Sequence, residues 1–401
     1  MNNLFIKYWY VLLLFVSWSC TSDRFANEKR EKTEKLALVK DVEVNKESKG
    51  FEVDFSVSSK PEHREKAKNI DKYLSKLYKQ KKFNGCVLVS EGGEIIFNSA
   101  YGYADFATET PLSSQSSFHL ASVSKQFTAM AVMMLKEEGK LNIENDITEY
   151  IPEMPYKGIK IKHLLNHSSG LVNFLNYVPT YLNFWDSCQI AQNCEMPLIL
   201  KEKQPRLQFR PGTRFAYNNT GYVLLAHLVE RITEQSFQEF VQERIFDVLG
   251  MKHSKVVSLA CEPVVPNRVY NYIYTRRNFE LFDDDVRNGF VGEKGVYASV
   301  EDMYRWDQAL YDTLLVKENT LKEIFEYSNL DNGRKIMYGY GWRKSKDNPD
   351  LVYHFGHWKG ARACIMRYTD SKNTIIILNN TSNNTLKRIV AHVKKELENQ
   401  E

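Results

Sequence analysis

Cysteine is scarce in this chain: six residues in 401, with no Cys-x-x-Cys pair. That argues against a disulfide-stapled miniature scaffold and against a thiolate zinc site. An excess of one charge is lacking too, since 54 Lys+Arg against 50 Asp+Glu leave a formal net charge of +4. A protein held to nucleic acid by phosphate attraction usually carries a strongly basic face or arm, so that class is excluded. No apolar run reaches the roughly 20 residues of a membrane-spanning helix, which excludes a polytopic membrane protein. Nineteen Gly and 11 Pro exclude collagen. There is no internal repeat and no glycine-rich loop to cradle a phosphate. What is present is ordinary for a soluble globular protein: 43% hydrophobic and 26% charged residues. At about 150 residues per domain the length suits two or three domain-sized units, or one composite fold.

The first 20 residues read as an address. One charge, Lys7, precedes an apolar run from Tyr8 to Trp18. The run is too short to span a bilayer and matches a signal-peptide core. It ends in Ser17-Trp-Ser-Cys20, which resembles a bacterial lipoprotein signal with Cys20 as the lipidated residue. An exported, lipid-anchored envelope protein is expected, on the periplasmic or outer face. An uncleaved apolar anchor is the other reading of the same run. Of the remaining cysteines, Cys188 and Cys194 are the only sequence-local candidates for a disulfide, while Cys86 suits a strand core.

Residues 21–64 hold ten basic and ten acidic side chains with few aromatics, the composition of a solvated tether. Within it, Phe51-Glu-Val-Asp-Phe-Ser-Val57 alternates as a strand does. A folded domain is expected over 65–399. Ile70, Tyr73, Leu74, Leu77 and Tyr78 fall at helical spacing, followed by a hairpin around Gly92-Gly93. A helix from about Ser122 to Glu138 places Phe127, Met130, Met134 and Leu135 on one side. A second hairpin turns at Asp370-Ser-Lys-Asn373, and Leu386, Ile389, Val390, Val393 and Leu397 form the stripe of a last helix. Helix–hairpin at the front and hairpin–helix at the back predict an α+β fold. Both ends would share one antiparallel sheet flanked by terminal helices, with a mostly helical insertion at about 140–290.

Three motifs could carry chemistry. Ser122-Val-Ser-Lys125 puts a hydroxyl and an amine one helical turn apart, on one face. Serine is a poor nucleophile without a nearby base, and a desolvated lysine can serve as one. Taken alone, the pattern more often describes a capping serine with a solvent-facing lysine. Tyr217-Asn-Asn219 offers a phenol that relays protons beside a lysine, and a side-chain amide that can donate to a substrate carbonyl. His354-Phe-Gly356 offers a histidine and a glycine that lets a substrate backbone approach closely. His163 and His167 stand four apart without the glutamate of a zincin, and read as structural. Asp283-Asp-Asp285 lacks the spaced ligands of a calcium loop, so no metal is implied.

Together, in this order, the three motifs resemble the serine β-lactamase and penicillin-binding-protein superfamily. The context is most similar to its class C β-lactamase, D-alanyl-D-alanine carboxypeptidase and esterase branch. Four further stretches carry the likeness: Phe118 to Ala129, Ile161 to Leu171, Gly295 to Met303 and Tyr338 to Trp342. The resemblance spans about residues 70–395. It implies Ser122 as the acylated nucleophile, Lys125 as its base and Tyr217 as the proton shuttle to the leaving group. Asn219, His354 and Gly356 would bind substrate, and the backbone N–H groups of Ser122 and His357 would form the oxyanion hole. No cofactor is implied. The expected substrate is an ester or amide, with a D-amino-acid peptide from peptidoglycan as one candidate. A true β-lactamase and a slowly acylating penicillin or cell-wall-fragment binding protein remain as alternatives. Phe355 stands where penicillin-recognising members usually place Thr or Ser, so it is expected to narrow the groove and weaken carboxylate recognition.

Overall fold

The structure is a computed structural model that describes residues 51–176, 190–260, 263–275, 278–283 and 286–398. Cys20, Cys188 and Cys261, with the signal-like run, lie outside the described residues. Helix α1 (Pro61–Lys79) opens on a proline, whose missing N–H has no helical partner to lose there. It is followed by strands β1 (Gly85–Glu91) and β2 (Glu94–Tyr101). Gly92 and Gly93 turn the hairpin at φ of 60° and 83°, a region that side chains rarely enter. Next come α2 (Lys125–Glu137), α3 (Thr220–Thr233) and α4 (Val300–Ala309). The chain returns to the sheet with β3 (Arg343–Lys344), β4 (Leu351–Trp358), β5 (Ala361–Tyr368) and β6 (Asn373–Asn379). It ends in α5 (Leu386–Glu398).

The sheet order is β3-β4-β5-β6-β1-β2. Every neighbouring pair is antiparallel, and the two ends of the chain meet where Val87 of β1 opposes Ile377 of β6. This is an α+β fold with a shared antiparallel sheet, flanking terminal helices and a mostly helical insertion. Both faces of the sheet are covered, which is why its strands read as continuous apolar runs. Alternation sends Val87, Val89, Ile375 and Ile377 to one face, against the stripes of α1 and α5. Cys86, Leu88, Ile376 and Leu378 go to the other, into the core that contains α2 and α3.

Two expectations need correction. Helix α2 is not amphipathic: every residue from Lys125 to Leu135 is buried, because α3 and the helix Glu318–Phe325 pack around it. The folded region starts before residue 65. Phe51, Val53 and Phe55 pack against the core, and Val57 bridges Ile95, so the alternation at 51–57 lays that end of the supposed tether onto the domain. Cys194 is exposed ahead of the helix Glu195–Lys203, and Cys188, the partner considered for it, lies outside the described residues.

Candidate active site

Ser122 sits in a tight helical turn, Ala121–Ser124, that leads into α2. Its neighbours are buried while Ser122 itself is half-buried. The turn is strained: Ala121 has φ of +48°, a region costing a residue with a Cβ roughly 1–2 kcal/mol. Surrounding bonds hold it. The Ala121 N–H donates to His119 Nδ1 at 3.0 Å, and the Val296 N–H donates to Ser124 Oγ at 3.1 Å. Burial, then the cations Lys294 and Arg268, push His119 down to about 3. The ring is therefore neutral at pH 7, which frees Nδ1 to accept.

Strand β4 presses on this turn, and Gly356 makes that possible. A Cβ there would stand 2.2 Å from the Leu120 carbonyl oxygen and 3.2 Å from Ala121 Cβ. The group that Gly356 admits in the structure is the serine's own turn.

Lys125 is fully buried. Its Nζ lies 3.4 Å from Ser122 Oγ and donates to the Glu293 carbonyl at 2.7 Å. It also sits 5.1 Å from the Tyr217 ring centre and 5.4 Å from that of Tyr222. The Glu293 that supplies the carbonyl is itself pinned, since Lys294 Nζ donates to its carboxylate at 2.6 Å and to the Arg287 carbonyl at 2.8 Å.

Three buried polar atoms have no hydrogen-bond partner among the described residues: Tyr217 OH and His167 Nε2, whose rings neighbour Lys125, and Asn219 Oδ1. A buried polar group left unpaired costs about 1–3 kcal/mol, so such atoms are open to a ligand. Asn218, by contrast, is fully used, bonding His167, Leu171 and Gly221. His167 packs its ring on Tyr217 at 4.3 Å. Burial, followed by Lys125, His354 and Arg343, holds it neutral.

His354 lies beneath the site with both ring nitrogens engaged. Its Nδ1 is 2.9 Å from the Phe355 carbonyl, which can only accept, so Nδ1 carries the proton. Nε2 then accepts from Tyr338 OH at 3.1 Å. Burial, with Arg343 and Lys125, keeps the ring neutral. Direct substrate binding by His354 is therefore corrected to a supporting place under Tyr338. Phe355 is also corrected. Strand alternation turns it to the opposite face, into the α1/α5 layer beside Cys364, so it does not narrow the groove. His357 is exposed near the end of β4, beyond the reach of β3, which pairs only with Val352 and Tyr353.

Sequence reasoning missed His119, Tyr338, Arg343 and the Glu293 carbonyl, and gave His167 no part in the site. His119, His167 and Tyr338 stood inside the stretches that carried the resemblance. A backbone carbonyl leaves no signal in side-chain identity.

A hydroxyl on a strained turn, beside a buried amine and an unpaired phenol, defines the class: a serine hydrolase. The Beta-lactamase family model matches residues 70–397, and the chain belongs to that family. It is 33% identical over 332 residues to Penicillin-binding protein 4* of Bacillus subtilis (strain 168), covering 80% of this chain and 73% of that protein. A D-aminopeptidase of Gluconobacter oxydans (strain 621H) is 23% identical over 311 residues, 74% of this chain and 55% of its own length. The crystal structure of D-amino acid amidase from Ochrobactrum anthropi SV3, complexed with L-phenylalanine amide, superposes with a TM-score of 0.68. It shares 19% identity and covers 83% of this chain and 99% of its own. At that identity the likeness is one of fold.

Proposed function

We propose that the protein is exported and hydrolyses an ester or amide through a Ser122 acyl-enzyme, with D-amino-acid-containing peptides as the substrate class. The observation that carries this is Ser122 Oγ 3.4 Å from Lys125 Nζ, with the unpaired Tyr217 hydroxyl on the same amine's far neighbour. In this reading Lys125 takes the Ser122 proton while Oγ attacks the acyl carbon. The backbone N–H groups of Ser122 and His357 hold the oxyanion, an arrangement commonly worth a few kcal/mol. Tyr217 hands a proton to the leaving oxygen or nitrogen, and water then releases the acyl group. The orphaned atom of Asn219 is its acceptor oxygen, which suits a substrate amide N–H. The names of the D-aminopeptidase and amidase relatives support a D-amino-acid substrate. The penicillin-binding relative favours a second reading, a slowly deacylating penicillin binder.

Steady-state turnover of a nitrophenyl ester, a D-alanine amide and a chromogenic cephalosporin separates these. Ester or amide turnover lost in Ser122→Ala supports the hydrolase. A stoichiometric burst with no steady state gives the trap, and rapid cephalosporin turnover gives a β-lactamase. Activity surviving in Ser122→Ala sinks the mechanism. Export with Cys20 lipidation, as a protein of the cell envelope, rests on residues 1–20. Metabolic labelling of the full chain with a fatty-acid probe tests it, and label retained by Cys20→Ala overturns it.

A further inference from the structure

Two buried charged side chains take no step in the reaction: Glu293, 3% exposed, and Lys294, 1% exposed. They are neighbours on the segment whose Glu293 carbonyl accepts from Lys125 Nζ at 2.7 Å. Burying an ion pair is expensive, and an apolar pair of similar volume is often at least as stable. Stability alone therefore does not account for this pair, and its surroundings show what else it does.

Gly292 and Gly295 bracket the two residues at φ of 97° and 99°, a region that only glycine enters freely. On one side the Gly292 carbonyl accepts from Thr128 Oγ1 of α2 at 2.7 Å, and on the other the Val296 N–H donates to Ser124 Oγ at 3.1 Å. Both flanks are thus tied to the serine turn and its helix. The Lys294 side chain completes the hold. Its Nζ donates to the Glu293 carboxylate at 2.6 Å and to the Arg287 carbonyl at 2.8 Å. The same Nζ lies 4.6 Å from the centre of the Trp358 ring, and the Arg287 guanidinium lies 5.1 Å from that ring. Trp358 is the last residue of β4, next to His357. One amine therefore joins the turn at Arg287, the Glu293 peptide and the end of β4. Burial lowers the pKa of Lys294, Glu293 opposes that, and Lys125 and Arg287 lower it further, so the two amines belong to one electrostatic cluster.

Lys125 Nζ stands 3.4 Å from Ser122 Oγ, at the long end of the hydrogen-bond range. A small shift of the carbonyl that holds it would separate base from nucleophile.

We propose that Lys294 is a positioning residue for the Ser122 reaction: by clamping the Glu293 side chain to the Arg287 carbonyl, it fixes the peptide carbonyl that aims the Lys125 amine at Ser122 Oγ. The proposal rests on the Ser122 acyl-enzyme reading and adds to it a residue that touches neither substrate nor nucleophile.

The test compares the full chain with Glu293→Gln, Lys294→Met and the double variant. It reads the rate of fluorophosphonate labelling at Ser122, kcat/KM for a nitrophenyl ester, and urea unfolding. Ser122→Ala, which should not label, controls for the site of labelling. Each single variant leaves one buried group without its charged partner and should lose stability, while the double variant should regain it. Labelling and kcat/KM should fall about tenfold or more in Lys294→Met and stay low in the double variant, since the clamp is missing from both. All rates are taken where unfolding curves show each chain fully folded, and Lys294→Gln supplies a milder variant for the same comparison. A labelling rate that stays low after stability has returned marks positioning. Rates that recover together with stability, or that never fall in a folded Lys294 variant, overturn the proposal. Wild type that fails to label at Ser122 removes the acyl-enzyme reading, and the proposal falls with it. Wild type that labels beside variants that label as fast overturns the proposal alone.

Discussion

The two faces of strand β4 are packed by different rules. Tyr353 and Phe355 turn into the layer of α1 and α5, where their rings meet edge to face at 5.7 Å among aliphatic side chains. That face requires only shape and volume. His354 and Gly356 turn toward the serine layer, where one is fixed by two directed hydrogen bonds and the other by having no side chain at all. One face therefore tolerates repacking, and the other holds atoms in place. Stability and activity should separate cleanly between them.

The largest effect expected is at the centre of the serine layer. Lys125→Met should lower kcat/KM by about a thousandfold or more, because the amine bonded to Ser122 Oγ is lost. Its melting temperature should hold or rise, since an apolar chain replaces a fully buried amine whose hydrogen bonds go to one carbonyl and the Ser122 hydroxyl. Ester kinetics beside thermal unfolding check both halves, and retained activity would remove Lys125 from the mechanism. Gly356→Ala comes next. With Leu120 O only 2.2 Å from the added carbon, it should cost about 1–3 kcal/mol and shift the serine turn. Its kcat should fall about tenfold even where the protein is fully folded, as reacting groups lose alignment. Normal kcat with lost stability would show that the contact matters for folding alone.

Phe355→Thr sharpens the contrast from the other face. Judged by motif alone, it restores a hydroxyl that penicillin-recognising relatives carry, and cephalosporin turnover should rise. Judged by its place, it removes a partly buried ring from the α1/α5 layer. The expected outcome is a loss of about 1–2 kcal/mol in urea unfolding, with no gain in cephalosporin turnover. A clear gain would mean that residue 355 reaches the groove after all.

These cases show what was legible in the chain. The sheet was, because Thr374-Ile-Ile-Ile-Leu378 and Cys86-Val-Leu-Val-Ser90 are short apolar runs bounded by turns, and the two terminal helices repeat at helical spacing. So was the grouping of Ser122, Lys125 and Tyr217, through three local patterns in a fixed order. The facing of His354, Phe355 and Gly356 was not, because a motif names neighbours in sequence while a strand sends neighbours to opposite sides. The burial of α2 on all sides was hidden for a related reason: Lys125, Gln126 and Thr128 look solvent-facing until each finds a buried partner in Glu293, Trp306 and Gly292.

The smallest effect expected concerns how the serine turn is held rather than what it does. His119 accepts the Ala121 N–H and packs edge-on to Tyr297 at 5.0 Å. Its folded value of about 3 lies below the roughly 6.5 of an unfolded histidine. Between those values the unfolded chain binds a proton that the folded chain refuses. Stability from the neutral ring is complete above about pH 6.5 and is lost as pH falls, at up to about 1.4 kcal/mol per pH unit. His119→Asn keeps an acceptor for Ala121 but has no proton to bind. It should be modestly less stable than wild type at pH 7.5 through lost packing, and the gap should narrow or reverse near pH 4.5. His163, held to about 4 by burial, titrates alike in both proteins and cancels in the difference. Urea unfolding of the two chains across that range reads the result directly. A gap that stays constant with pH would mean that His119 is already protonated when folded, and that something other than its Nδ1 secures the strained turn at Ala121.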